Sequence, residues 1–170
     1  MAKKISLREF QEHLATRLAG AARGEAEPAL LGVQAGGENW LLELFDAGEI
    51  VPLPPITSVP LTHPWYVGLA NIRGTLYSVS DFAAFFGGDP TPHNANARLV
   101  LVGARHGSNA ALLVTRLLGL KRREGLTSLP ALESAPAWAR EQVEDSEGRR
   151  WRKLSVPILL ADPEFMQIGA

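Results

Sequence analysis

From residue 29 onward, short apolar runs are broken by Gly, Asn, Asp and Pro roughly every ten positions. The spacing predicts strands over 29–35, 39–45, 67–72, 75–79, 98–104, 109–115, 140–144 and 150–155. Many short strands with regular turn signals predict a mainly β fold, a barrel or sandwich rather than a parallel sheet. Before residue 29 the period is helical. Leu7, Phe10, Leu14 and Leu18 form one apolar stripe, which predicts a helix over 6–19. Ser6 and Glu9 are spaced as a capping box, Ile5 and Phe10 as its hydrophobic staple, and Gly20 as a stop. The stripe either packs on the body of its own domain or docks a partner. Residues 21–27 are small and charged. The expected division is therefore a helix and linker over 1–27 and a β domain over 28–168.

The β region carries an internal repeat. Residues 29–60 lie on 99–130 without a gap. Leu31 matches Leu101, Gly37 matches Gly107, Asn39 matches Asn109 and Leu42 matches Leu112. Thr57-Ser58-Val59-Pro60 matches Thr127-Ser128-Leu129-Pro130. Two copies are too few for a solenoid and predict two similar β subdomains.

Between the copies, Val67 to Ile72, Arg73-Gly74 and Thr75 to Val79 read as strand, tight turn, strand. Gly74 supplies the turn's unusual backbone angles, and Asn71 bonds the turn backbone. Ser80 offers an N-cap to a short helix carrying Phe82, Phe85 and Phe86, which Gly87-Gly88 ends. Residues 89–97 are polar and proline-rich, a linker between the halves. Asp145-Ser146-Glu147-Gly148 is a hairpin turn, and Ser155-Val156-Pro157 opens a short C-terminal helix that Pro163 interrupts or restarts.

Composition narrows the function classes. With 46% hydrophobic and 21% charged residues the chain has the makeup of a globular domain, so disorder is excluded as its main state. Net charge is -1, without the basic surplus that nucleic-acid binding needs. The absence of cysteine removes disulfides, thiolate metal sites and cysteine nucleophiles. No signal-peptide pattern and no long apolar span is visible, so the expected location is cytoplasmic. His13, His63, His93 and His106 are not spaced as metal pairs, and no phosphate loop or nucleophile elbow occurs. No cofactor or metal is expected.

The run from Gly68 through Asn71-Ile72-Arg73-Gly74 to Ser80-Asp81-Phe82 resembles the signature hairpin of CheW-like domains. Trp40 to Pro60, Arg98 to Gly119 and Pro157 to Phe165 resemble that family's flanking segments, so the likeness covers roughly 28–168. The preceding helix and the Trp65/Asn71 region resemble the branch of adaptors in type IV pilus chemosensory systems. The helix is an addition to the minimal pattern, and the Tyr77-Ser78 strand is more polar than usual. The resemblance implies two five-stranded, SH3-like β-barrel subdomains sharing a core. It implies a non-catalytic adaptor with two partners: a methyl-accepting chemoreceptor tip and the regulatory domain of a CheA-type histidine kinase. The competing readings are a nucleic-acid-binding barrel, an unrecognised small enzyme and a flagellar rather than a pilus adaptor.

Arg73 is the leading site residue, since a guanidinium at a hairpin tip reaches a partner's carboxylate or backbone. It is equally placed to tie the hairpin to a neighbouring loop or to Asp81. Asn71, Ile72, Gly74, Trp65 and Asp81 complete the expected protein-binding set, with Trp65 also read as a plug at the core edge. Lys121-Arg122-Arg123 and Arg149, Arg150, Arg152 and Lys153 are solvated faces or complements to an acidic partner.

Overall fold

Two curled sheets share one buried layer in the computed structural model, which describes residues 8, 10–12, 14, 29–102 and 107–170. The strands are β1 (Ala29–Ala35), β2 (Glu38–Glu43), β3 (Ala47–Pro52), β4 (Tyr66–Ile72), β5 (Thr75–Asp81) and β6 (Arg98–Val102). They continue with β7 (Ala110–Val114), β8 (Arg116–Arg122), β9 (Thr127–Leu129), β10 (Gln142–Glu144) and β11 (Arg150–Lys153). Among the described residues from β1 onward, three short helices follow strands or each other: α1 (Phe82–Phe85), α2 (Val156–Ala161) and α3 (Pro163–Met166). One sheet has six strands, in the order β8-β1-β2-β11-β10-β9, and the other five, β3-β6-β7-β5-β4.

The two orders match position for position. In each sheet a repeated hairpin (β1-β2 or β6-β7) is flanked by a strand from the other copy (β8 or β3). Each then takes a strand in parallel: β11 beside β2, and β5 beside β7. Even the sixth position has a counterpart, because Thr57, the repeat mate of Thr127 in β9, bridges Leu69 of β4. The repeat is therefore structural, but a sheet is not one half of the chain. The two copies exchange their third strands. Residues 89–97 are also more than a linker, since Thr91 and Ala97 are buried.

The exchange explains why runs such as Arg98–Val102 and Ala110–Val114 are apolar at nearly every position. Both faces of these strands are covered, so alternation is lost. Leu31, Val33, Trp40, Leu42, Val100, Val102, Leu112 and Val114 point into the shared layer. Their neighbours Leu99, Leu101, Ala111 and Leu113 point into the five-stranded sheet's own cluster. Leu30 and Leu41 join Val143 and Trp151 inside the six-stranded sheet.

The strands β3, β8 and β9 were not among the expected set, and 39–45 ends early because Leu44–Asp46 forms a 3-10 turn. The helix cap after β5 is Asp81, not Ser80: its carboxylate accepts from the Ala84 N–H at 3.3 Å. Ser155 caps α2, and Pro163 starts α3 anew under an Asp162 cap. Of the N-terminal stripe, Leu14 is buried in the shared layer, Phe10 packs against it, and Gln11 Nε2 donates to the Ile50 carbonyl at 3.0 Å. These residues follow the packing alternative. Ile5, Ser6, Leu7, Glu9, Leu18 and Gly20 lie outside the described residues.

An ion pair spans each sheet. Arg73, at the β4-β5 tip, pairs with Glu49 on the opposite edge strand β3. Lys121, on edge strand β8, lies 3.6 Å from Asp145 in the β10-β11 turn. The two bonds occupy corresponding places with the charges reversed. The Asp145 side chain is 6% exposed. Its carboxylate accepts from Trp151 Nε1 at 3.0 Å and from the Arg149 and Glu147 N–H groups at 2.9 Å each. The Trp151 bond, then those backbone bonds and Lys121, hold it at about 2, below its ordinary 3.8. A carboxylate depressed on folding stabilises the fold above its unfolded value and ceases to do so as pH falls through the folded value. Urea midpoints should accordingly drop between about pH 4 and about pH 2. Asp145→Asn should flatten that drop, and parallel curves for the two proteins would refute the assignment.

Candidate protein-docking hairpin

Ile72 and Thr75 are the last paired residues of the β4-β5 hairpin, which leaves a two-residue loop. Arg73 has φ +52° and Gly74 φ +84°. Two positive angles define the type I′ turn, whose twist suits a two-residue hairpin. Asn71 Oδ1 accepts from the Gly74 N–H at 2.9 Å and locks the turn. A Cβ on Gly74 would meet nothing, so glycine is there for its angle alone. Ile72 is half-buried against the five-stranded sheet's cluster.

Arg73 shares the left-handed conformation without being glycine, at a cost of about 1 kcal/mol. The Glu49 carboxylate receives its Nη2 and raises the guanidinium above its ordinary value, so the charge is fixed. The Arg73 side chain is nevertheless 68% exposed. One edge of the fork is anchored and the rest faces solvent. The two structural partners expected for it were a neighbouring loop and Asp81; the partner is neither, but Glu49 on strand β3.

Trp65 and Asp81 lie at the other end of the hairpin. At about 3.3 Å per strand residue they are roughly 25 Å from Arg73. Asp81 is buried. It accepts from the Thr91 N–H and the Thr91 hydroxyl, each at 2.7 Å, as well as from Ala84. Its oxygens are consumed in fastening α1 to residue 91, so it supports the framework and presents nothing to a partner. Trp65 is half-buried within an aromatic column. It stacks on His63 at 5.4 Å and on Phe165 at 6.1 Å, and meets Phe85 edge-on at 4.9 Å. Its carbonyl accepts from the Asp81 N–H at 2.7 Å. The structure thus brings together Asn71, Ile72, Arg73 and Gly74 and separates them from Trp65 and Asp81.

Glu49 was missed by sequence reasoning. It lies on a strand that was not expected, and only the curl of the sheet brings β3 to the hairpin tip. Among the described residues no group of three or more His, Asp or Glu side chains is placed to hold a metal ion. His63 is spent on Trp65, His93 is exposed, and His13 and His106 lie outside the described residues.

Comparison with known proteins gives concordant results. Protein PilI of Pseudomonas aeruginosa is 31% identical over 108 residues, a span of 62% of this chain and 60% of that protein. The chain thus aligns with less than two thirds of that relative's length. The crystal structure of the scaffolding protein TtCheW from Thermoanaerobacter tengcongensis superposes with a TM-score of 0.64 at 20% identity, covering 76% of this chain and 85% of that one. That likeness establishes the fold. The model of the CheW-like domain matches residues 29–164, from the first strand of the six-stranded sheet into α3, and on that match the chain belongs to the CheW-like domain family.

Proposed function

We propose that this protein is a non-catalytic adaptor that couples methyl-accepting chemoreceptors to a CheA-type histidine kinase, in a pilus-type chemosensory pathway. Family membership supports the adaptor reading, and the likeness to PilI supports the pilus branch. In this reading residues 28–168 are the working domain and residues 1–27 an extension of it. The partners are the cytoplasmic tip of the receptor and the regulatory domain of the kinase, which puts the protein in the cytoplasm. None of the described helices is long and apolar enough to cross a membrane.

The observation that carries the reading is the state of Arg73. An asparagine or glycine would sit in its left-handed conformation at less cost. An exposed arginine held there against strain, and braced by Glu49, is a side chain positioned for something outside the domain. An adaptor transmits a signal only if its contacts differ between the partner's two states, and a rigid tip suits that requirement.

The test is calorimetric titration against the regulatory domain of the CheA-type kinase from the same organism. Wild type should bind saturably. Arg73→Ala and Arg73→Glu should bind at least tenfold more weakly, about 1.4 kcal/mol, with urea midpoints showing both variants folded. Equal binding by folded variants would move the interface away from the hairpin. No binding by wild type would remove this kinase domain as the partner.

A further inference from the structure

Beyond the hairpin site, we infer that the cleft between the start of β2 and strand β11 docks an extended acidic segment of a partner protein. Most of the chain's described cations are already satisfied. Among the described residues, Arg8, Arg73, Lys121, Arg123, Arg152 and Lys153 pair with carboxylates. Arg98 and Arg140 donate to carbonyls and Arg116 to Gln34. Arg122, Arg149 and Arg150 remain without a side-chain bond to any described residue. Two of these three are adjacent, exposed and line the same cleft, whose volume is about 480 Å³.

The cleft has a structural cause. β2 and β11 run parallel but pair only at Trp40↔Arg152 and Leu41↔Lys153. Before those pairs the strands part. Glu38 and Asn39 line one wall, and Arg150 and Trp151 the other. Their backbones make no ladder with each other, which leaves polar main chain for an inserted segment. Half-buried Leu132 adds apolar surface, and Gln142 is already bonded to the Pro130 carbonyl. Arg152 lines the cleft as well, and its Nε is buried with no acceptor.

The local acids do not neutralise this edge. Glu38 is taken by Arg152, and Asp145 by Trp151, the turn N–H groups and Lys121. Glu144 lies directly across from Arg150 on β10 yet forms no ion pair with it. Glu147 is in the turn. Two free guanidiniums at neighbouring positions repel until a carboxylate arrives, and each can donate two N–H groups to one in a bidentate bond. Protein carboxylates fit better than nucleic-acid phosphates. The chain has net charge -1, without the basic surplus that a run of phosphates needs.

The experiment uses the full chain and a short fluorescein-labelled peptide of alternating glutamate and leucine, read by anisotropy. A peptide with glutamine for glutamate and a labelled single-stranded oligonucleotide serve as comparisons. The glutamate peptide should bind saturably, and the glutamine peptide at least tenfold more weakly. The double variant Arg149→Gln, Arg150→Gln should lose at least tenfold for the glutamate peptide, with an unchanged urea midpoint because both side chains are exposed and unbonded. Absence of saturable binding, equal binding by the folded variant, or tighter binding of the oligonucleotide would each overturn the proposal. No kinase or receptor domain enters this experiment, so its outcome is independent of the adaptor reading.

Discussion

Gly68→Ala should destabilise the protein by about 3 kcal/mol or more, among the largest losses available from adding a single methyl group. Gly68 has φ +143°, a region that L-residues rarely enter. A Cβ built there would lie 2.1 Å from the Thr57 carbonyl oxygen and 2.8 Å from its carbon. Those atoms are backbone and have no rotamer through which to retreat. They are also held, because the Thr57 N–H donates to the Leu69 carbonyl and the Leu69 N–H to the Thr57 carbonyl. The glycine therefore lets the Thr57 segment lie against β4 as the sheet's sixth, residual strand. Relief of the clash requires either breaking both bonds or straightening the bulge at Tyr66/Gly68. Urea denaturation of the variant measures the loss. A cost below about 1 kcal/mol would mean the bridge is dispensable and the Thr57 segment is not a working part of the sheet.

Gly68 also shows what the sequence disclosed and what it hid. Its place in the hairpin motif was readable, and so were Asn71 and Gly74 as turn residues, because two-residue hairpins have few solutions. The repeat was readable from Thr57 and Thr127. The strand exchange was not. Which strands pair is decided by long-range contact, and nothing local to 47–52 or 116–122 specifies it. Both are edge strands, one ending in Pro52 and the other bent at Gly119 (φ +103°), so each lacks the texture of a central strand. Arg73 was readable as an exposed residue of the two-residue turn, but its left-handed backbone was not, since an arginine gives no sign of a positive φ. Asp81 was assigned to binding because an acid after a strand is ambiguous from sequence, and burial against Thr91 decides the matter. The arginine run at 149–152 was visible as charge. Its concavity arises from the divergence of β2 and β11, whose paired residues are more than a hundred positions apart in the chain.

Trp40→Ala should cost about 3–5 kcal/mol, the range for truncating a fully enclosed large aromatic. Trp40 has no exposed surface. Its ring meets Phe82 edge-on at 4.8 Å, Phe86 at 5.3 Å and Trp138 at 6.2 Å, and Nε1 donates to the Ala35 carbonyl at 3.3 Å. The Arg152 guanidinium lies 4.6 Å from the ring, over its face. Removing the indole opens a void in the layer common to both sheets and strips Arg152 of its π partner. The cation–π share is about 1 kcal/mol for a partly buried pair. A cycle with Arg152→Met should therefore return a coupling of that order. Arg152 also donates to Glu38 and to the Ala139 carbonyl, so its own truncation acts on β2 and on the 137–139 turn at once. Because Trp40 lies in β2 while Phe82 follows β5, its loss should weaken both sheets together. The denaturation curve should stay a single transition at a lower midpoint, with fluorescence and circular dichroism coincident. Two separated transitions would mean that the sheets fold as independent units. A loss below about 2 kcal/mol would mean that the layer closes over the void and that Trp40 does not join them.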